Sequence, residues 1–336
     1  GGAVLNTNAN SFLVVNNSTF SSNTARNGGA VFNKGTATFN TSTISENINA
    51  IKGGGFYNDT NGNLTLIDST VSNNSSTGNG GAIFNYGASL NIYKSTISGN
   101  SSSANGGGIS NKNTGAVTLS YTKVSSNSAS SGAGIYNSNS RLSISNSTIS
   151  GNSGTGYGGG LNNFNCYTNT IAISNSTISN NSALLGGGGI INTNSTLSVS
   201  NSTIYGNSTS GNGGGILNFT GSSTLSVTNS TISGNSASSA NGGGISNNAT
   251  ITLLSNTIIA NSLNSADFVG NAPITNINNL VETLGTVTGT FTPAFTSDPL
   301  LGPLQDNGGP TFTMALSAGS VAIGTTAGSG TDQRGI

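Results

Sequence analysis

Ten copies of one hexapeptide, Gly-Gly-(Ala/Gly)-apolar-x-Asn, recur through the chain at a spacing near 26 residues. They begin at Gly1, Gly28, Gly53, Gly80, Gly106, Gly132, Gly158, Gly187, Gly213 and Gly242; only the sixth departs, with Ala133 in its second place. A period of this size denotes a solenoid, a propeller or a similar array, and a propeller blade needs about four strands in ~40–45 residues. One turn of a solenoid fits the spacing better.

Every hexapeptide is followed by a second block, seen as Leu142-Ser-Ile144-Ser-Asn-Ser-Thr-Ile149-Ser-Gly-Asn152. Its last apolar residue is Phe20, Ile44, Val71, Ile97, Val124, Ile149, Ile178, Ile204, Ile232 and Ile258 in turn. The residues five and seven places before this anchor are apolar in every copy, and asparagine stands three places after it, ending with Asn261. The block reads as intolerant of insertion. Apolar residues alternate with Ser, Thr and Asn, which is the strand period of two, and that composition makes a poor helix. The predicted fold is all-β: a right-handed parallel β-helix of about ten three-faced coils. Its faces are Gly-Ile-Tyr-Asn, Leu-x-Ile and Ser-Thr-Ile, with a bend at Asn146–Ser147, since asparagine tolerates the left-handed conformation.

Coils stack ~4.8 Å apart, so equivalent side chains form columns. The sixth hexapeptide position is always asparagine: Asn6, Asn33, Asn58, Asn85, Asn111, Asn137, Asn163, Asn192, Asn218 and Asn247. Amides at that spacing can donate to one neighbour and accept from the other, which predicts a structural ladder. The fifth position is expected to point outward. Leu5, Phe32, Tyr57, Phe84 and Tyr136 then form an apolar stripe, a candidate interface. Asp68 and Lys94, each three places before its anchor, are expected to stack as an ion pair.

The hexapeptide stops before Asn261, and all five prolines, Pro273, Pro293, Pro299, Pro303 and Pro310, follow. Residues 1–261 therefore read as β-helix repeats and 262–336 as a C-terminal cap region, because a terminal coil must shield its edges and core.

The repeats resemble those of bacterial right-handed parallel β-helix surface proteins and are similar to the Gly-Gly-Ala-Ile repeats of polymorphic outer-membrane proteins. Asp298-Pro-Leu-Leu-Gly-Pro-Leu-Gln-Asp-Asn-Gly-Gly-Pro-Thr311 and Thr331-Asp-Gln-Arg-Gly335 resemble the end of the choice-of-anchor Q cell-surface proteins. This likeness departs at Ser320-Val-Ala-Ile-Gly-Thr325, where relatives carry a proline and an aspartate. The resemblance implies secretion and a non-enzymatic surface role, and it supplies no catalytic residues.

The chemistry available is sparse. Charged residues make up 5% of the chain, eight basic against eight acidic, with no histidine. Clustered charge for nucleic acid or a polybasic membrane patch is absent, and no stretch has the ~20 apolar residues of a transmembrane helix. Without histidine, no Ser-His-Asp or Cys-His arrangement forms within the chain. The acids Glu46, Asp59, Asp68, Asp267, Glu282, Asp298, Asp306 and Asp332 offer no two residues in register for a glycosidase-type pair. No enzyme activity, metal or cofactor is expected. Glycine runs such as Gly186–Gly189 lack the Lys-Ser/Thr ending of a phosphate loop. Cys166 reads as an unpaired surface or loop thiol, the alternative being an intermolecular link.

The expected function is that of an extracellular structural protein at a bacterial cell surface. It is either a scaffold or fibre subunit assembling head to tail, or an adhesin-like protein; the alternative is a carbohydrate-binding or carbohydrate-cleaving β-helix. The expected partners are further copies of itself, and glycans or a cell surface. The chain opens on a full repeat, Gly1–Asn6. That suggests trimming from a precursor, or an open first coil covered by another molecule, with Glu282–Phe295 as strand donor.

Overall fold

The computed structural model describes residues 1–48, 50–167, 169–238, 241–324 and 333–334. The chain winds as a parallel β-solenoid. Its strands build three long sheets of 12, 11 and 11 strands, each strand pairing with its equivalent one coil away. The first sheet collects hexapeptide strands such as Ile135–Ser138, the second strands such as Arg141–Ser145, and the third strands such as Thr148–Ser150. Register follows the sequence alignment: Val31 pairs with Phe56, Leu90 with Val117, Ile97 with Val124. The inward residues Ile83, Leu90, Ile92, Ile97 and their counterparts are buried in one continuous core. Each such side chain contributes ~1.5–3 kcal/mol on burial. Because a coil contacts only its neighbours, stability accumulates along the stack.

Each coil turns between its second and third strands through a residue in the left-handed region. Asn17, Thr41, Asp68, Lys94, Tyr121 and Asn146 have φ between 47° and 52°, which places the bend where the alternation breaks. Asparagine suits this corner; a β-branched residue suits it worst. Thr41→Asn is therefore expected to stabilise the protein by about 1 kcal/mol, measured as a raised denaturation midpoint. A lowered midpoint would contradict the corner strain. Asp68 and Lys94 occupy this corner on adjacent coils, but no ion pair joins them. Lys94 Nζ lies 5.2 Å from the centroid of the Tyr93 ring, whose face attracts the ammonium. An ion pair forms instead between Lys34 and Asp59, at 3.2 Å.

Several details depart from the sequence reading. A fourth sheet of seven short strands, from Ala50–Lys52 to Ser208–Thr209, gives the middle coils a narrow fourth side. Strands of two residues, such as Ser128–Ala129, are too short for alternation to reveal. The second block also admits an insertion. Leu225 pairs with Ile251 but Ser226 with Leu253, so Thr252 is the extra residue of a bulge. Leu254 and Ile259 consequently fill the core, rather than Leu253 and Ile258. Asn261 falls one place short of its column and is exposed.

Cys166 is buried, not superficial. Its Sγ accepts from Ser140 N at 3.5 Å while its own amide donates to Ser195 Oγ at 2.8 Å. It thus fills a column of turn serines, and burial pushes its thiol pKa up. A buried, protonated thiol is unsuited to linking molecules.

The stack continues past the last hexapeptide. Phe268–Asn271, Thr275–Ile277 and Leu280–Val281 each extend one long sheet, and Leu284–Thr288 adds a further strand to the first. Glu282–Phe295 is thus engaged within its own chain: Leu284–Thr288 pairs with Phe268–Asn271, and Val281 N donates to Phe295 O at 3.0 Å. Phe291 packs edge-on against Phe268, centroids 4.9 Å apart, at this end of the core. Leu301–Gln305 and Thr313–Leu316 then form an antiparallel pair, and the segment between them reaches back along the outside of the third sheet.

Candidate functional site

The sixth-position asparagines form the ladder that their spacing predicts. Asn6 Nδ2 donates to Asn33 Oδ1 at 2.8 Å, and the same bond repeats through Asn58, Asn85, Asn111, Asn137, Asn163, Asn192 and Asn218 to Asn247. There it ends: Gly270 pairs opposite Asn247, whose Nδ2 donates to Asn271 O at 2.7 Å. A second ladder runs through the asparagines three places after the anchor. Asn100, for example, donates from both N and Nδ2 to Asn127 Oδ1, at 2.9 and 3.0 Å. This column extends from Asn23 to Asn235. Its signal, an unvarying asparagine, stood in the sequence beside the first. Both ladders face inward and serve backbone turns.

The fifth-position column does not form the continuous exposed stripe expected of it. Leu5 is 66% exposed, but Tyr57 and Phe84 keep only 6% and 2%, and Phe32 and Tyr136 are half-buried. The aromatic rings cover one another: Phe32 meets Tyr57 edge-on, and Tyr57 meets Phe84, both with centroids 5.2 Å apart. Lysines from flanking segments lie over them. Lys52 Nζ is 5.7 Å from the Tyr57 centroid and 5.6 Å from that of Phe84, and Lys112 Nζ is 5.0 Å from that of Tyr136. Burial, then the Lys52 charge, lowers the Lys112 pKa. Tyr57 donates to Asp59 Oδ1 at 3.0 Å; burial first, then this carboxylate, holds the phenol well above its usual range. Burial pushes Asp59 upward, but the Thr60 amide, Tyr57 and Lys34 together bring it below its usual value. Side-chain burial here comes from the fourth side of the coil, which alternation did not reveal.

Asp267, Glu282, Asp298 and Asp306 each accept from backbone amides. Asp267 is buried and accepts from Ser262 N and Thr283 N at 2.9 and 2.8 Å, and burial raises its pKa. Glu282 accepts from Asn261 N at 2.8 Å. Glu46 and Asp68 sit at left-handed corners. Asp332, and the Thr331–Gly335 segment apart from Gln333 and Arg334, lie outside the described residues.

Gln333, quoted in the sequence only within the Thr331–Gly335 segment, has a role that sequence reasoning missed. Its amide clamps the tail against the third sheet: Thr203 Oγ1 donates to Gln333 Oε1 at 2.6 Å, while Nε2 reaches Thr311 Oγ1, Thr177 Oγ1 and Phe312 O at 2.9, 3.0 and 3.1 Å. Thr177 Oγ1 donates to Phe312 O at 2.6 Å, and Thr311 Oγ1 donates to Asn175 O at 3.2 Å. Between this tail and the sheet lies an open cleft of about 540 Å³, walled by Pro303, Leu304, Pro310 and Phe312 and floored by Thr148, Ser150 and Ser179. Lys123, Asn180 and Tyr205 also line it.

Residues 17–34, 68–86 and 94–112 match the family described as the Chlamydia polymorphic membrane protein repeat. Each matched window begins at a left-handed corner, Asn17, Asp68 or Lys94, and ends one residue beyond a ladder asparagine, Asn33, Asn85 or Asn111. The family motif therefore corresponds to a third-sheet strand, the turns that follow and the next hexapeptide strand. Comparison with curated proteins gave no match, and neither did comparison with solved structures. The chain is a parallel β-helix repeat protein, similar over residues 17–34, 68–86 and 94–112 to the Chlamydia polymorphic membrane protein repeat.

Proposed function

We propose that the protein is a non-enzymatic, adhesin-like scaffold displayed at a bacterial outer membrane or surface. The carrying observation is the coincidence of the matched repeats with structural units of the solenoid. The family's description as a membrane protein supports the location. The engagement of Asp267, Glu282 and Asp59 in structural bonds supports a non-enzymatic role. Protease treatment of intact producing cells tests the location: the protein should be digested while cytoplasmic markers survive, and full protection would refute surface display.

Head-to-tail self-association is a second reading, and the charge distribution favours it. Residues 1–141 hold seven basic and three acidic side chains, residues 142–336 one basic and five acidic. Two sequence halves of opposite net charge favour attraction between molecules at low ionic strength. Sedimentation should then show species larger than monomer that dissociate as salt is raised; a monomer at all salt concentrations would end this reading.

A further inference from the structure

The repeat itself supplies a background against which exceptions stand out. The two outward columns of the third sheet flank the anchor residue. Through nine coils one column reads Thr19, Thr43, Thr70, Thr96, Lys123, Thr148, Thr177, Thr203 and Thr231. The other is serine throughout, from Ser21 to Ser233, except at Tyr205. Threonine and serine answer every structural need of these positions. Only Lys123 and Tyr205 break the pattern, and both line the cleft beneath the tail.

We propose that this cleft binds a short oligosaccharide carrying a carboxylate. The ligand class follows from the chemistry of the lining. Thr148, Ser150 and Ser179 offer hydroxyls, and Asn180 an amide, at intervals set by the strand spacing. Such donor–acceptor groups suit a polyol. Tyr205 and Phe312 supply aromatic faces for the C–H surface of a sugar ring; Phe312 is 52% exposed although it stands in a docked segment. Lys123 is the one charged side chain in the lining, and no carboxylate opposes it. It lies three coils from Tyr205, roughly 14 Å at the strand spacing, which selects an oligosaccharide over a single sugar. A deep apolar pocket, the usual seat of a drug-like ligand, is not what this shallow, hydroxyl-floored cleft provides. The proposal rests on the adhesin-like reading only for the source of the ligand.

The test uses the full chain and two variants that restore the repeat consensus, Lys123→Thr and Tyr205→Ser. Both replacements are residues the same sheet already carries, so folding should be unaffected, and circular dichroism and thermal melting verify it. Binding is measured by calorimetry against a panel of acidic tri- and tetrasaccharides and their neutral methyl esters. The expected result is binding of an acidic member that weakens about tenfold in each variant, with only the Tyr205 change weakening the ester. No binding by any member, or equal binding by all three proteins, overturns the site. Equal affinity for acid and ester overturns the carboxylate assignment. Binding by purified protein is independent of where the protein resides, so failure here is distinguishable from failure of surface display.

Discussion

Asn111→Leu should destabilise the protein by about 3–5 kcal/mol, because it orphans buried groups on both neighbouring coils. Asn111 Oδ1 accepts from Asn85 Nδ2 at 2.8 Å, and its Nδ2 donates to Asn137 Oδ1 at 2.8 Å and Arg141 O at 2.9 Å. Leucine keeps the branched skeleton of the asparagine side chain, but its methyl groups need ~3.5–4 Å where the amide sits at 2.8 Å, so crowding adds to the lost hydrogen bonds. The orphaned Asn85 amide would still donate to Ala88 O at 2.8 Å, which keeps the penalty below the sum of all severed bonds. Asn40→Leu is the control: Asn40 donates to Asn16 Oδ1 at 2.8 Å but in an exposed pair, and its loss should stay within ~0.5 kcal/mol. Denaturant melts of the two variants decide the matter. Similar midpoints for both would mean that the ladder is not what holds the turns. Solenoids need not unfold in one step, so hydrogen exchange should localise the opening to the coils on either side of Asn111.

Gln333→Ala should detach the tail while leaving the coils folded, with a loss of docking free energy of about 2–4 kcal/mol. One amide there satisfies hydroxyls and carbonyls from coils seven and eight and from the tail itself. Limited proteolysis should cut the variant between Asp298 and Ile323 far faster than the parent, with the main thermal transition unchanged. Gln333→Glu should behave at least as badly. A carboxylate can still accept from Thr203, but it cannot donate to Phe312 O or Ser176 O and faces their dipoles unpaired. Unchanged protection in both variants would show that the tail is held by other contacts. The same detachment would remove one wall of the cleft beneath it.

The sequence by itself determined the architecture, because a solenoid is built from local instructions repeated. Period, alternation and the left-handed corner before Ile149 each concern neighbours in the chain, and the parallel register then aligns like with like. The asparagine ladder was legible for the same reason: identical side chains at one coil spacing have no other partner of equal complementarity. Where a feature was too short or depended on an insertion, local pattern failed. The fourth side, which buries Tyr57 and Phe84 beneath Lys52, was not foreseen, because most of its strands are two residues long and Ser75–Asn79 carries no apolar residue to mark a face. A bulge at Thr252 moved Ile259 into the place of Ile258, an offset visible only once pairing with the preceding coil is known. Cys166 looked like a loop residue until stacking set it in a column of serines. Only the tertiary structure decided the course of the tail. Its contacts with the coils join residues some 130 apart or more, and no periodicity spans that distance. Gln333 stood out in the sequence only as part of a segment that resembles a family's end, and its role comes from the fold: the free energy of docking lies in bonds between segments whose meeting the repeat does not encode.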